Sequence, residues 1–257
     1  MTKSSGGEPA AHHHWPNLWS RDGFLGTNSV VLRDGYLPDF KAVSGPHVPR
    51  RFNIADVVSA DLTDPEALPT PVLSSREGLE LSVSRRRQAM PYALRSADTE
   101  ELHFIQSGAV RFETDFGSID AGPLDFVLIP RAVAYRVVPL DAELSMLIMS
   151  SPAPLNLDTP APLGMIYRGR SVRHPVPCAA TNPSSGPFRL MIKSYDGVSE
   201  FHSAEDPLAG VALVEGPCPV WALNLREINP MTYGGPGGPP GQFLTSPDTA
   251  VMSYSLS

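Results

Sequence analysis

The 257-residue chain is long for one small domain and short for two large ones, and an all-β barrel of ~250 residues is a common single unit. Its 28 prolines and 21 glycines interrupt the chain too often for long helices, which excludes an all-α bundle, while a hydrophobic fraction of 42% still builds a sizeable core. A net charge of −7 argues against nucleic acid or an anionic membrane surface as the partner.

Apolar runs fall short of the ~18 residues of a spanning helix, and MTKSSGGEPAAHHHWP at the N-terminus lacks the apolar centre of a signal peptide. Two cysteines, Cys178 and Cys218, make no disulfide framework and fit a reducing cytoplasm. Residues 1–14 are small and polar and are expected to be a disordered tail, in which His12, His13 and His14 lack the rigid frame of a metal site. The text from Trp15 to Val58 is irregular, GPHVPRR (45–51) suggests an ordered arm, and TDPEALPT (63–70) reads as loop. The segment 15–78 is thus expected to be an N-terminal arm with strands packing on a barrel.

Regular alternation begins at LELSVS (79–84) and continues through ELHFIQSG (101–108), AVRFETDFG (109–117), SIDAGPLDFVLIP (118–130), VAYRVVPL (133–140) and LSMLIMS (144–150). Short strands with a turn every 8–12 residues predict an all-β sandwich or small barrel over 79–150. A Pro-rich crossing segment spans 151–187 and contains strand-like MIYRG (165–169). The β pattern resumes over 188–257, in FRLMIKSYDG (188–197), VSEFH (198–202), LAGVALVEG (208–216), VWALNLREI (220–228) and QFLTSPDTAVMSYSLS (242–257). No helix follows the glycine run GGPGGPPG (234–241) to supply a dipole, so it reads as a loop rather than a phosphate cradle.

Several stretches together resemble a cupin barrel, and more narrowly the homogentisate dioxygenase-like proteins. They are RDGFLGTNSVVLR (21–33), AMPYALRSADTEELHFIQSG (89–108), RFETDFGSI (111–119), LDFVLIPRAVAYR (124–136) and LAGVALVEGPCPVWALNLREINP (208–230). The resemblance implies a jelly-roll (double-stranded β-helix) barrel in a bicupin-like arrangement, with 188–257 as a second, degenerate barrel half. It also implies homo-oligomers. The similarity is to the N-terminal portion of that family, whereas the iron ligands (a His, a Glu six residues later and a final His) lie further downstream and have no counterpart in these residues. A metal-binding cupin offers His-X-His, a Glu and a further His. With Gly108 at the turn, Glu101 takes the Glu position, but the His-X-His positions fall on Leu94/Ser96 or Arg95/Ala97, and Tyr135 or its neighbour stands where the last histidine belongs.

Glu101 and His103 are two apart on one strand and share a face, as an acid/base pair in a pocket or as a hydrogen-bonded pair at the barrel mouth. Tyr135 is a candidate donor to a substrate oxygen from an opposing strand, or a ring filling the barrel. Arg95 is a candidate for holding a carboxylate or enolate oxygen, or a surface cation. Tyr92, Phe112 and Met149 are assigned to substrate contact. Arg85, Arg86 and Arg87 read as a solvated charge run. His202 sits beside Glu200 and Glu205 with no second histidine nearby, and His47 and His174 lie in Pro-bounded loops that suit structural roles. Cys178 and Cys218, each next to prolines, have no adjacent histidine to make a nucleophile.

Three functions stay open, all with a small molecule rather than nucleic acid or membrane as the ligand. The preferred one is a cofactor-free enzyme performing acid/base isomerisation, cyclisation or elimination on a phenolic or polyketide-like compound. In it Glu101 or His103 is the base, and Tyr135 or Arg95 polarises an oxygen. The second is an aromatic ring-cleaving dioxygenase with an unconventional Fe(II) site built on Glu101 and His103. The third is a binding module, or a partner subunit that completes the active site of a separate cupin chain.

Overall fold

A computed structural model describes residues 14–21, 27–35, 41–46, 48–157, 166, 168–177, 186–228, 241–246 and 251–254. The chain divides into two compact units, Met1–Phe52 and Asn53–Ser257. His12, His13, His47, Cys178 and nearly all of the 234–241 loop lie outside the described residues. In the first unit, β1 (Trp15–Ser20) pairs antiparallel with β2 (Asn28–Arg33), Trp15 opposite Arg33 and Leu18 opposite Val30. This is a hairpin where the text looked irregular, because its Trp, Leu and Val residues occupy both faces and leave no alternation to see.

The second unit is built on two sheets. Its strands are β3 (Thr70–Ser74), β4 (Glu80–Ser84), β5 (Ala93–Ser96), β6 (Glu100–Ser107), β7 (Val110–Thr114), β8 (Gly117–Ala121), β9 (Asp125–Ile129), β10 (Ala134–Pro139) and β11 (Ser145–Ser151). They continue with β12 (Val172–Arg173), β13 (Phe188–Ser194), β14 (Gly197–Ser203) and β15 (Trp221–Asn224). One sheet runs β12-β15-β9-β6-β11-β4-β3 and the other β14-β13-β5-β10-β7-β8. A separate pair, β16 (Gly241–Thr245) with β17 (Val251–Tyr254), is antiparallel.

The chain crosses between sheets at the β6–β7 turn. Gly108 has φ +77° there, and an added Cβ would lie 2.7 Å from the Glu143 carbonyl oxygen and 2.9 Å from the Leu144 Cα, so only glycine fits. Residues of both sheets meet in one apolar layer that includes Ile105, Phe112, Val127, Ile129, Val137 and Met146. A second layer on the outer face of the longer sheet contains Leu102, Phe126, Leu128, Leu155 and Trp221. The longer sheet is therefore covered on both faces. Every residue of β9 (DFVLI) is buried, and its run is continuous rather than alternating.

The β13, β14 and β15 strands join these same two sheets. β13 pairs parallel with β5 and antiparallel with β14, while β15 pairs with β9. Among the described residues the 188–228 segment thus extends the first barrel. Two local expectations are corrected. Arg168–Ser171 is one helical turn that begins at the end of strand-like MIYRG, and 208–216 forms no ladder. No described helix is long and apolar enough to cross a membrane.

The arginine run is corrected at Arg85 and Arg86, while Arg87 is exposed as expected. Arg85 donates to the carbonyls of Val57, Ile54 and Ala55. Arg86, 1% exposed, donates to those of Pro65 and Ala67 at 2.6 Å each, and its Nε lies 3.7 Å from the Asp61 carboxylate. Asp61 in turn accepts from Ser59, from the Ser84 hydroxyl at 2.6 Å and from the Arg85 amide at 3.0 Å. Backbone carbonyls that turn away from any strand must find donors, and two guanidinium forks supply them to the 54–67 loop. Arg86→Met would leave Asp61 and two carbonyls buried with fewer partners. We expect it to lower unfolding free energy by about 3 kcal/mol in urea titration. A loss within about 0.5 kcal/mol, the size usual for a surface change, would return Arg86 to the solvated class.

Candidate functional site

Side chains of β6 alternate between the two apolar layers: Leu102 and Phe104 face the outer one, Glu101, His103 and Ile105 the barrel interior. Register then sets a polar row. Ser150 of β11 stands opposite Glu101 of β6 on one side and opposite Glu80 of β4 on the other. The facing sheet contributes Leu94 of β5, Tyr135 of β10 and Lys193 of β13, with Tyr135 opposite Leu94 and Lys193 opposite Ser96. These side chains, with Ser82, Ile148 and the Leu68–Pro71 segment, enclose a cavity of about 250 Å³.

Glu101 lies at its centre and is 3% exposed. The Tyr135 hydroxyl donates to Glu101 Oε2 at 2.5 Å, and Lys193 Nζ lies 3.9 Å from Glu101 Oε1 and 3.3 Å from Glu80 Oε1. The Ser82 hydroxyl also donates to Glu80 Oε1 at 3.1 Å. Burial pushes the Glu101 carboxyl above the usual carboxylate range, against the opposing pull of Lys193 and the Tyr135 hydrogen bond, and Glu80 adds to the rise. Burial, followed by the charge of Glu101 and the hydrogen bond to it, holds the Tyr135 hydroxyl well above its ordinary value. Tyr135 therefore keeps its proton and serves as a hydrogen-bond donor to Glu101, whose carboxyl holds its own proton to higher pH than an ordinary carboxylate.

Of the residues expected at the site, the fold brings only Glu101 and Tyr135 into the cavity. His103 shares their face but sits deeper and does not line it. Its ring packs edge-on against Phe112, centroids 5.0 Å apart, and against Tyr135 at 5.5 Å. Both ring nitrogens are buried with no hydrogen-bond partner, and Nε2 is 3.9 Å from Glu101, beyond hydrogen-bond reach. Burial, then the Lys193 charge, lowers the imidazole from 6.5 to about 3, so it is neutral and makes no ion pair with Glu101 near pH 7.

Arg95 is a correction. Leu94 points inward, so its neighbour points out, where the guanidinium pairs with Asp115 at 3.5 Å. Met149 is another: it packs in the outer apolar layer with Leu102, the residue opposite it in register. Phe112 is fully buried in the inner layer and does not line the cavity, and the Tyr92 hydroxyl is turned to the Glu66 and Ala67 carbonyls. The residues missed are Glu80, Ser82, Ser150 and Lys193. Period-two polar positions in LELSVS hint at the first two. Lys193 carries no signal, since parallel pairing with β5 brings it in from far along the chain.

The histidines outside the site make ordinary contacts: His174 Nδ1 lies 2.8 Å from the Val220 carbonyl oxygen, and the exposed His202 lies 3.6 Å from Glu200. Partial burial raises the Cys218 thiol, and its Sγ donates to the Val220 carbonyl oxygen at 3.4 Å, an environment that does not favour a thiolate.

Two sheets closed around a polar cavity define a cupin-type barrel. The chain belongs to the homogentisate 1,2-dioxygenase N-terminal family, which it matches over residues 70–214. It is 51% identical to homogentisate 1,2-dioxygenase of Rhodopseudomonas palustris over 45 residues, 18% of this chain and 10% of that protein. It is 30% identical to the Nitrobacter hamburgensis homogentisate 1,2-dioxygenase over 165 residues, 63% of this chain and 37% of that one. The chain thus spans well under half the length of these relatives. Among solved structures, the Schizosaccharomyces pombe Cnp3 cupin domain aligns at a TM-score of 0.36 with 6% identity, covering 54% of this chain and 87% of that one.

The described residues of this barrel do not fit an iron centre. Its candidate ligands are the carboxylates of Glu80 and Glu101 and the imidazole of His103. Both carboxylates face the Lys193 ammonium, Glu101 is also engaged by Tyr135, and the imidazole is walled in by two aromatic rings. Among the described residues no three His, Cys, Asp or Glu side chains cluster as a metal site.

A neutral buried imidazole affects acid stability with a definite sign. Between 6.5 and about 3 the unfolded chain binds a proton at His103 that the native state refuses, so stability falls as pH falls through that window. Replacing His103 by Phe removes this term. The variant should lose less stability than the parent between neutral pH and about pH 5, by on the order of 2 kcal/mol, in paired urea titrations. Identical acid dependence in the two proteins would contradict the lowered imidazole.

Proposed function

We propose that this barrel is a metal-independent acid/base site acting on a small phenolic or polyketide-like molecule, in an isomerisation, cyclisation or elimination. The observation that carries the reading is one buried carboxyl, Glu101, held by the Tyr135 hydroxyl and facing the Lys193 ammonium in a cavity that also holds Glu80, Ser82 and Ser150 beside an apolar wall of Leu68, Leu94 and Ile148. In this reading Glu101, ionised, removes a proton from a carbon or hydroxyl beside the substrate's carbonyl or enol and returns it to another position. Once Glu101 has taken the proton, its own O–H can donate to the Tyr135 oxygen, which frees the Tyr135 hydroxyl to donate to the oxygen on which negative charge grows, and Lys193 stabilises that charge from the same side. Leu68, Leu94 and Ile148 pack the ring and exclude water. Arg95, once a candidate for the oxygen-binding role, is replaced by Lys193 because it faces away.

A second reading is favoured by the family match: the chain supports a ring-cleaving site carried by other residues of a longer assembly. Metal content and oxygen uptake separate the two, since the first reading needs neither iron nor oxygen.

Glu101→Gln keeps the shape and the Tyr135 partner but cannot exchange a proton. Under the acid/base reading it lowers turnover of a responsive phenolic substrate by at least about a hundredfold. Because the native carboxyl is raised, ionising it costs stability as pH climbs through its native value, so the same variant should melt no lower than the parent at neutral pH. Near-parental turnover would sink the acid/base role. In the parent, kcat should rise with pH through the elevated Glu101 value and level off above it.

A further inference from the structure

Outside the mouth of the barrel lies a groove of about 580 Å³, and it is continuous with the cavity: Glu80, Ser150 and Lys193 line both. The Lys193–Glu80 ion pair, at 3.3 Å, spans from one sheet to the other across this neck. A ligand reaching Glu101 from the groove passes beside that pair.

The groove is bounded by two hydrogen-bonded turns and mixes polar side chains with apolar surface from Leu79 and Pro152. One wall is the β3–β4 turn, closed by the Ser75 amide to the Leu79 carbonyl at 2.7 Å and by the Leu79 amide to the Ser75 hydroxyl at 3.1 Å. The other is the β13–β14 turn, pinned to the β5–β6 loop by the Tyr195 amide donating to Asp98 at 2.7 Å and the Ala97 amide donating to the Lys193 carbonyl at 2.8 Å. These bonds hold the Tyr195 ring at the rim, 92% exposed, with its backbone fixed and its face open. Hydroxyls of Ser74, Thr99 and Ser194 line the groove with the charged groups of Arg76, Glu77 and Asp98; of these Thr99 is paired with Ser96, Ser194 with Asp196 and Asp98 with the Tyr195 amide. An apolar tail would cover these groups without pairing them. Carboxylates outnumber cations there, which disfavours an acidic tail. A polyol satisfies both donors and acceptors, and a sugar ring also stacks its C–H face on an exposed tyrosine.

We infer that the site is a two-compartment one whose ligand carries its phenolic head in the barrel and a hydroxylated, glycosyl-like tail in the groove, with Tyr195 as the tail's stacking platform. The inference rests on the barrel-cavity reading above and adds to it the groove as a second subsite.

Two probes separate the compartments: hydroquinone, which is a head alone, and 4-hydroxyphenyl β-D-glucopyranoside, which keeps a free phenol and adds one sugar. Calorimetric titration of the full chain should give at least about tenfold tighter binding of the glucoside. Tyr195→Ala, a fully exposed change, should bring the glucoside to the hydroquinone level and leave hydroquinone binding unchanged, while Tyr195→Phe retains the advantage. Equal binding of the two probes by the parent, or exclusion of the glucoside, overturns the groove subsite while leaving the cavity reading standing. An undiminished glucoside advantage in Tyr195→Ala removes Tyr195 as the platform and overturns the inference as stated. Binding of neither probe overturns both readings.

Discussion

The parallel pairing of β13 with β5 is the constraint on which the site depends. Four residue pairs, from Leu190 opposite Ala93 to Lys193 opposite Ser96, dock a late segment of the chain against an early one. A parallel neighbour cannot be reached by a tight turn, so the connection must be long. This ladder brings the Lys193 ammonium within reach of both Glu101 and Glu80 and carries the β13–β14 turn to the edge of the outer groove. Without it, Glu101 would be a buried carboxyl with a tyrosine for company and no facing charge.

The surrounding structure compensates for that carboxyl. A buried acid without partners is expensive, and the barrel satisfies it incompletely, with one hydrogen bond and a cation at 3.9 Å. The remaining cost is expressed as a raised proton affinity rather than as lost structure. Immediately below, His103 is buried with both nitrogens unsatisfied, a second strained group in the same column of β6. Around this column apolar layers cover both faces of the longer sheet, and the guanidinium groups of Arg85 and Arg86 brace the 54–67 loop. Arg95 Nε and Ser246 Oγ are also buried without a partner among the described residues, but the inner face of β6 carries both His103 nitrogens and the Glu101 carboxyl side by side, a pattern expected where stability is traded against chemistry.

The legibility of these features follows from their range. Alternation located β4, β6, β7, β10 and β11 to within a residue or two, because each has a polar and an apolar face that differ. It overlooked β5, since ALRS is only four residues long, and the β1–β2 hairpin, where apolar residues fall on both faces. Period two placed Glu101 and His103 on one face, and they are. It did not say how far along the barrel axis each would lie, and one strand step of ~7 Å separates a residue in the cavity from one sealed in the core. Met149 failed for a related reason: a strand's two faces are equivalent until something packs on them, and here the outer face of the longer sheet is as buried as the inner. Arg95 failed because it lies on the other sheet, one residue out of phase with the inward Leu94 of β5.

By itself the sequence determined an all-β chain with a cupin-like barrel centred on 79–150, the turn at Gly108, and a carboxyl and a tyrosine on facing strands. These follow from local periodicity, turn chemistry and the quoted stretches of family resemblance, all of which are properties of short segments. The tertiary structure alone decided that strands of 188–224 join the two sheets of that barrel, that Arg85 and the buried Arg86 brace the 54–67 loop, and that Lys193, Glu80 and Ser150 complete the site. Each of these depends on which strands become neighbours. Neighbour choice is set by non-local packing and loop closure across many tens of residues, and no short window of sequence contains it.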